Sequence, residues 1–106
     1  MSPAFAKSDD QLRADALAIW SAGVEAVRPE PLVAGAVRCF PADWQALLAN
    51  APRIFVVGGG KAGAGMAAGL ETGLGSHLDK LTGLLNVPEG SAAELRRIEL
   101  HPARPA

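Results

Sequence analysis

The sequence predicts an α/β fold: an incomplete Rossmann-like parallel sheet preceded by an N-terminal helical segment. Three observations carry that expectation. Ile54-Phe55-Val56-Val57 is a short β-favouring run that ends in Gly58, Gly59 and Gly60, followed by Lys61 and a small-residue helical pattern. Thr82-Gly83-Leu84-Leu85-Asn86-Val87 reads as a second strand closed by Pro88-Glu89-Gly90. Ahead of both, residues 8–50 read as a helical lead-in to a β-α-β core over 53–100.

The lead-in opens on Ser8 with Gln11 three residues later, a capping-box pattern, and Asp9 and Asp10 suit the first turn of a helix. Over 12–27, Leu12, Ala16, Ile19, Trp20, Gly23 and Val27 fall on one face, which predicts a core-packed amphipathic helix. Trp20 in such a stripe reads as core rather than as a stacking platform. Pro29 and Pro31 stop this helix and suit the start of a second, over 32–40. Pro41-Ala42-Asp43 restarts the chain, and Trp44, Leu47 and Leu48 give a third short helical face before Asn50-Ala51-Pro52.

The glycine run is the chemical centre of the sequence. Gly58, Gly60 and Gly63 satisfy GxGxxG between a strand and a helix, where backbone N–H groups and the positive end of the helix dipole can hold an anion. A purely geometric turn uses the same glycines. Lys61 favours the anion, because a cation in the first turn opposes the dipole unless a negative group compensates it. A Walker A loop is excluded, since it needs glycine at Phe55 and a hydroxyl at Ala62. A nicotinamide cofactor calls for an acid at the end of the second strand, where the chain has Asn86, with Glu89 only beyond Pro88.

Beyond the loop, Ala62, Met66, Leu70 and Leu74 form an expected buried stripe, with Glu71 and Thr72 facing out. Gly65, Gly69 and Gly73 share a helical spacing. Each costs about 1 kcal/mol relative to alanine, so their alignment suggests a close approach by the sheet or a neighbouring chain, with Ala/Gly compositional bias as the alternative. Residues 75–81 read as a loop, 91–95 as an ambiguous turn of helix and 97–100 as a third, shorter strand. The closing residues 101–106, with Pro102 and Pro105, are expected to continue neither as helix nor as central strand. The segment 66–74 supplies the crossover that parallel strands require.

The chain has 106 residues, 49% hydrophobic and 20% charged, with a net charge of −1, as expected of one small globular domain. Scattered basic residues leave no footprint for nucleic acid and no polybasic patch for a membrane, so the expected ligand is small. Cys39 is the single cysteine and His77 and His101 lack ligand spacing, so no metal site is expected from this chain. Cys39 reads as a small hydrophobe filling a core gap. No signal peptide or bilayer-length apolar run is visible, and a cytoplasmic location is expected.

Four segments together resemble the amino-terminal part of the type II glycerate 2-kinases, the family that ends in a MOFRL domain. They are Ala16-Leu17-Ala18-Ile19-Trp20 through Val27-Arg28-Pro29, Val56-Val57-Gly58-Gly59-Gly60-Lys61-Ala62, Gly83-Leu84-Leu85-Asn86-Val87-Pro88, and His101-Pro102 with Pro105. The resemblance spans nearly all of the chain and only the front portion of the family's enzyme. It implies ATP-dependent phosphorylation of glycerate to 2-phosphoglycerate, with ATP and Mg²⁺ as cofactors and a fragment inactive by itself. It gives Lys61 the catalytic role, and Gly58, Gly59, Gly60, Ala62 and Gly63 the phosphate contacts. His101 matches the family's Gly-His-Pro segment, with Leu100 replacing the glycine, and is a substrate-binding candidate. Arg104 joins it as a residue able to pair with a carboxylate, or else is a solvated terminal arginine. Two alternatives stand beside this reading: an NAD(P)-dependent hydroxypyruvate reductase fragment, a label some family members have carried, and a noncatalytic anion-binding or assembly module. An incomplete sheet further predicts self-association through an exposed edge.

Overall fold

β-Branched residues running into glycine build the first strand where the sequence places it, and the rest of the sheet follows from that strand. The computed structural model describes residues 6–105. Its helices are α1 (Asp9–Ala26), α2 (Pro29–Arg38), α3 (Ala42–Asn50) and α4 (Gly63–Gly73), and its strands β1 (Ile54–Gly59), β2 (Leu81–Pro88) and β3 (Ile98–Arg104). The expected loop before β2 is wound into a 3₁₀ segment, Gly75–Lys80. All strands are parallel in the order β1-β2-β3, with Ile54 opposite Leu81 and Gly83 opposite Ile98. The fold is thus the expected mixture of helix and strand: an open three-stranded parallel sheet behind an N-terminal helical segment.

One face of the sheet carries the core. α4 lies on it and α2 packs along α4, so that Val37, Ala67 and Leu74 meet Leu85, Val87 and Ile98. Val87 is the most enclosed large side chain, at 1% exposure. The stripe on α4 differs from expectation: Gly63, Ala67, Gly69, Glu71 and Leu74 are buried, whereas Ala62 and Met66 are exposed. The reason is the glycine row. A Cβ at Gly69 would sit 2.5 Å from the Glu30 carbonyl oxygen, one at Gly73 would sit 2.9 Å from Val37 Cβ, and one at Gly65 would strike the Pro29 ring. The close approach is therefore made by α2, not by the sheet or another chain, and it turns the small residues of α4 inward.

α1 keeps its cap and loses its expected packing. Gln11 N–H donates to Ser8 Oγ at 3.2 Å and Ser8 N–H donates to Gln11 Oε1 at 2.8 Å, completing the capping box. Yet α1 has no buried residue: Ile19 is 74% exposed, and Trp20, expected in the core, is 66% exposed. The helix runs out from the body, which explains a radius of gyration of 19.7 Å where about 13 Å suits a chain near 100 residues. Cys39 is also exposed, at the C-terminal end of α2, and fills no core gap. α2 begins at Pro29, earlier than expected, because that proline takes the first helical position.

α3 carries no basic residue in its last turn. Lys80, just before β2, supplies the charge instead: its ammonium donates to the carbonyls of Ala49 at 3.1 Å and Ala51 at 2.9 Å, and also to that of Leu48.

β3 continues to Arg104, past the point at which the prolines were expected to end it. It is an edge strand, so Pro102 needs a ladder partner on one side only, and the pairing shifts register between Val87 and Pro88 to pass it. Residues 91–95 form no helix. No helix among the described residues is long and apolar enough to cross a membrane.

Candidate functional site

The glycines at the end of β1 have different physical duties. Gly60 has φ +134°, a conformation open to glycine and strained for other residues, and it makes the chain leave the strand. Gly63, the first residue of α4, permits contact with the sheet: a Cβ there would lie 2.9 Å from Val87 Cγ1. Gly58 and Gly59 have more room, the nearest atoms to a Cβ being Leu85 Cγ at 3.8 Å and the Asn86 oxygen at 3.3 Å.

The turn is fixed by two backbone hydrogen bonds. Gly60 N–H donates to the Asn86 carbonyl at 3.0 Å, and Gly63 N–H donates to the Gly60 carbonyl at 3.1 Å. The first intrahelical bond is from Met66 N–H to the Ala62 carbonyl, at 2.9 Å, so Ala64 and Gly65 offer N–H groups at the N-terminal end of α4 without an intrahelical acceptor. Lys61 stands exposed in this turn and forms no ion pair or side-chain hydrogen bond among the described residues. Cation, helix N-terminus and positive-φ turn therefore converge at the C-terminal edge of a parallel sheet, the edge at which open α/β sheets place ligands.

A recess of about 200 Å³ lies there, lined by Gly59, Gly60, Lys61, Asn86, Pro88 and Ala103 among others. Small-molecule pockets run from about 300 to 1,000 Å³, so this space suits a phosphate-sized group rather than a whole nucleotide. Its walls carry no carboxylate, and no cluster of three or more metal-ligating residues exists among the described ones. A Mg²⁺ brought in on phosphate oxygens would thus find no carboxylate in the recess, where the side-chain oxygen on offer is the Asn86 amide.

The sequence-predicted residues are brought together in part. Gly59, Gly60 and Lys61 line the recess, and a second hollow of about 370 Å³ is lined by all six residues from Gly58 to Gly63, together with Met66 and Leu70. His101 does not line the recess. It is exposed on β3 opposite Asn86, which is itself opposite Gly59, so the three form one row across the strand ends. Arg104 ends β3 opposite Pro88, and its side chain lies outside the described residues. Asn86 and Ala103 are the residues sequence reasoning did not assign. Asn86 was visible as the residue at the nicotinamide-acid position, and parallel pairing with Gly59 would have brought it to the loop.

Fold and site together define an α/β domain with a glycine-rich strand-to-helix turn at the carboxyl end of its first strand. The chain belongs to the family described as Domain of unknown function (DUF4147), whose model matches residues 15–105. No curated protein and no solved structure matches it.

Proposed function

We propose that this domain supplies the phosphate-holding wall of an ATP-dependent glycerate 2-kinase and is inactive by itself. The carrying observation is Lys61, exposed without a side-chain partner among the described residues in a positive-φ glycine turn at the N-terminal end of α4. The family supports the reading, because the DUF4147 domain is found at the N-terminus of glycerate kinase and MOFRL-family proteins. Phosphoryl transfer asks a protein chiefly for positioning and for positive charge at the migrating oxygens, and the free N–H groups with Lys61 offer both. The recess takes one phosphoryl group; ATP, Mg²⁺ and glycerate would extend over the row of Asn86 and His101. Orientation of two substrates needs an opposite wall, so a chain with one wall transfers nothing.

The test is a titration of this chain with inorganic phosphate and with ATP, following backbone amide shifts. Movement centred on Gly60 to Gly65, weakened about tenfold by Lys61→Ala, is expected. Shifts confined elsewhere, or unchanged in the variant, refute the anion turn, and 2-phosphoglycerate formed above the Lys61→Ala background in a coupled assay refutes inactivity.

A noncatalytic assembly module is the second reading, favoured by the exposed apolar residues of α1 and of the uncovered sheet face. Under it β1 and β3, both edges, pair with further strands. Edge pairing is compatible with both readings, so the phosphate titration separates them: a module that only assembles shows no anion-dependent shifts at Gly60 to Gly65 and associates equally well as Lys61→Ala. A reductase has no such support, because Asn86 offers the ribose diol no carboxylate.

A further inference from the structure

Parallel strands are ordinarily joined by a crossover of a dozen or more residues, usually a helix that packs the second strand into place. The β2–β3 connection, residues 89–97, has no helix. What holds β3 comes from elsewhere. Glu71, on the buried side of α4 at 7% exposure, aims its carboxylate at the start of the strand. Arg96 N–H donates to Oε1 at 2.8 Å, and Arg97 and Ile98 N–H donate to Oε2 at 2.7 and 2.9 Å. One side chain therefore satisfies three consecutive backbone donors where a crossover helix would normally provide the support.

We infer that Glu71 is a positioning residue, an acid-releasable clamp that sets the register of β3 and thereby keeps His101 and Ala103 at the ligand edge of the sheet. Register is all-or-none here. Ile98 and Leu100 are buried while Glu99 and His101 are exposed, so a slip of one residue would turn His101 inward and expose both apolar side chains. A carboxylate meets the demand because it accepts at both oxygens and strengthens each bond by its charge. Glutamine of the same length would oppose an amide donor to a backbone donor, and aspartate would be a methylene short. The inference concerns this chain's own backbone and does not depend on what the glycine turn binds.

Protonation is the natural release. Burial pushes the Glu71 carboxyl up, but the hydrogen bonds from Arg97, Arg96 and Ile98, with the Arg96 charge, outweigh it and hold the group below the usual glutamate range. The other charged groups lining the same cavity are Glu30 from α2 and Glu94 from the connection, both opposing the carboxylate, while the 3₁₀ segment contributes uncharged Gly75 and Leu78. With the folded value depressed, the clamp is intact above the unfolded glutamate range and is lost as pH falls through the folded value.

The experiment is an acid titration of the whole chain by amide NMR. Arg96, Arg97 and Ile98 should move together with one midpoint below the ordinary glutamate range. At the same midpoint Ile98 and Leu100 should lose about tenfold or more of their exchange protection, corrected for intrinsic rates, while Val56 and Leu85 keep theirs. Glu71→Gln should show the loosened β3 and a shifted His101 ring signal already at neutral pH, and should abolish the transition. Separate midpoints for the three amides, loss of β1–β2 protection at the same pH, or a transition that persists in Glu71→Gln overturns the inference. If the variant fails to fold, the wild-type titration decides by itself.

Discussion

The two faces of the sheet are built to different tolerances. On the face under α4, contacts are set at the level of backbone: a Cβ at Gly83 would stand 2.6 Å from the Val56 carbonyl oxygen, and one at Gly63 would press on Val87. On the opposite face Phe55 is 68% and Val57 84% exposed, with Leu84 beside them. Parallel sheets normally have both faces covered, and their strands are apolar throughout for that reason. β1 and the middle of β2 carry apolar residues on both faces, whereas the outer face of β3 carries Glu99 and His101, and the described residues cover one face. Burial, not side-chain type, is what separates a core valine from a surface one.

The sharpest way to break the contrast is Gly83→Ala. The added methyl meets backbone that cannot move without opening the β1–β2 ladder, so a loss of about 3 kcal/mol or more is expected in denaturant unfolding. A change below about 1 kcal/mol would show that the covered face is more pliant than its contacts imply. Val87→Ala removes methyls from the most enclosed position and should cost about 2 kcal/mol by the same measurement. Val57→Thr on the bare face should alter unfolding of the dilute chain by less than about 0.5 kcal/mol. If Val57→Thr instead destabilises as strongly as Val87→Ala at low concentration, the outer face is covered after all.

Much of this was legible in the sequence, for identifiable reasons. The Ser8 cap, the strand that ends in glycine and the β-α-β order depend on neighbours within a few residues, and sequence displays those directly. What escaped depends on partners far along the chain. Glu71 looks solvated because helical periodicity sees only its own helix, and the donors that bury it begin at Arg96. The α1 stripe states that a face could be covered, not that anything described covers it. β3 outlasts its prolines because edge position, a property of the sheet, decides whether a missing N–H matters. At the candidate site the turn was readable, whereas Asn86 and Ala103 reach it only through strand register.

The grip of Lys80 on α3 has a consequence for cooperativity. Its acceptors lie at the end of α3, just before β1, and Lys80 itself directly precedes β2, whose first residue pairs with Ile54. The last carbonyls of α3 are thus satisfied by a residue that arrives only when the two strands stand side by side. Any fluctuation that parts β1 from β2 at this end also uncaps α3, so helix and ladder should open as one unit, a single foldon joined by an ammonium group.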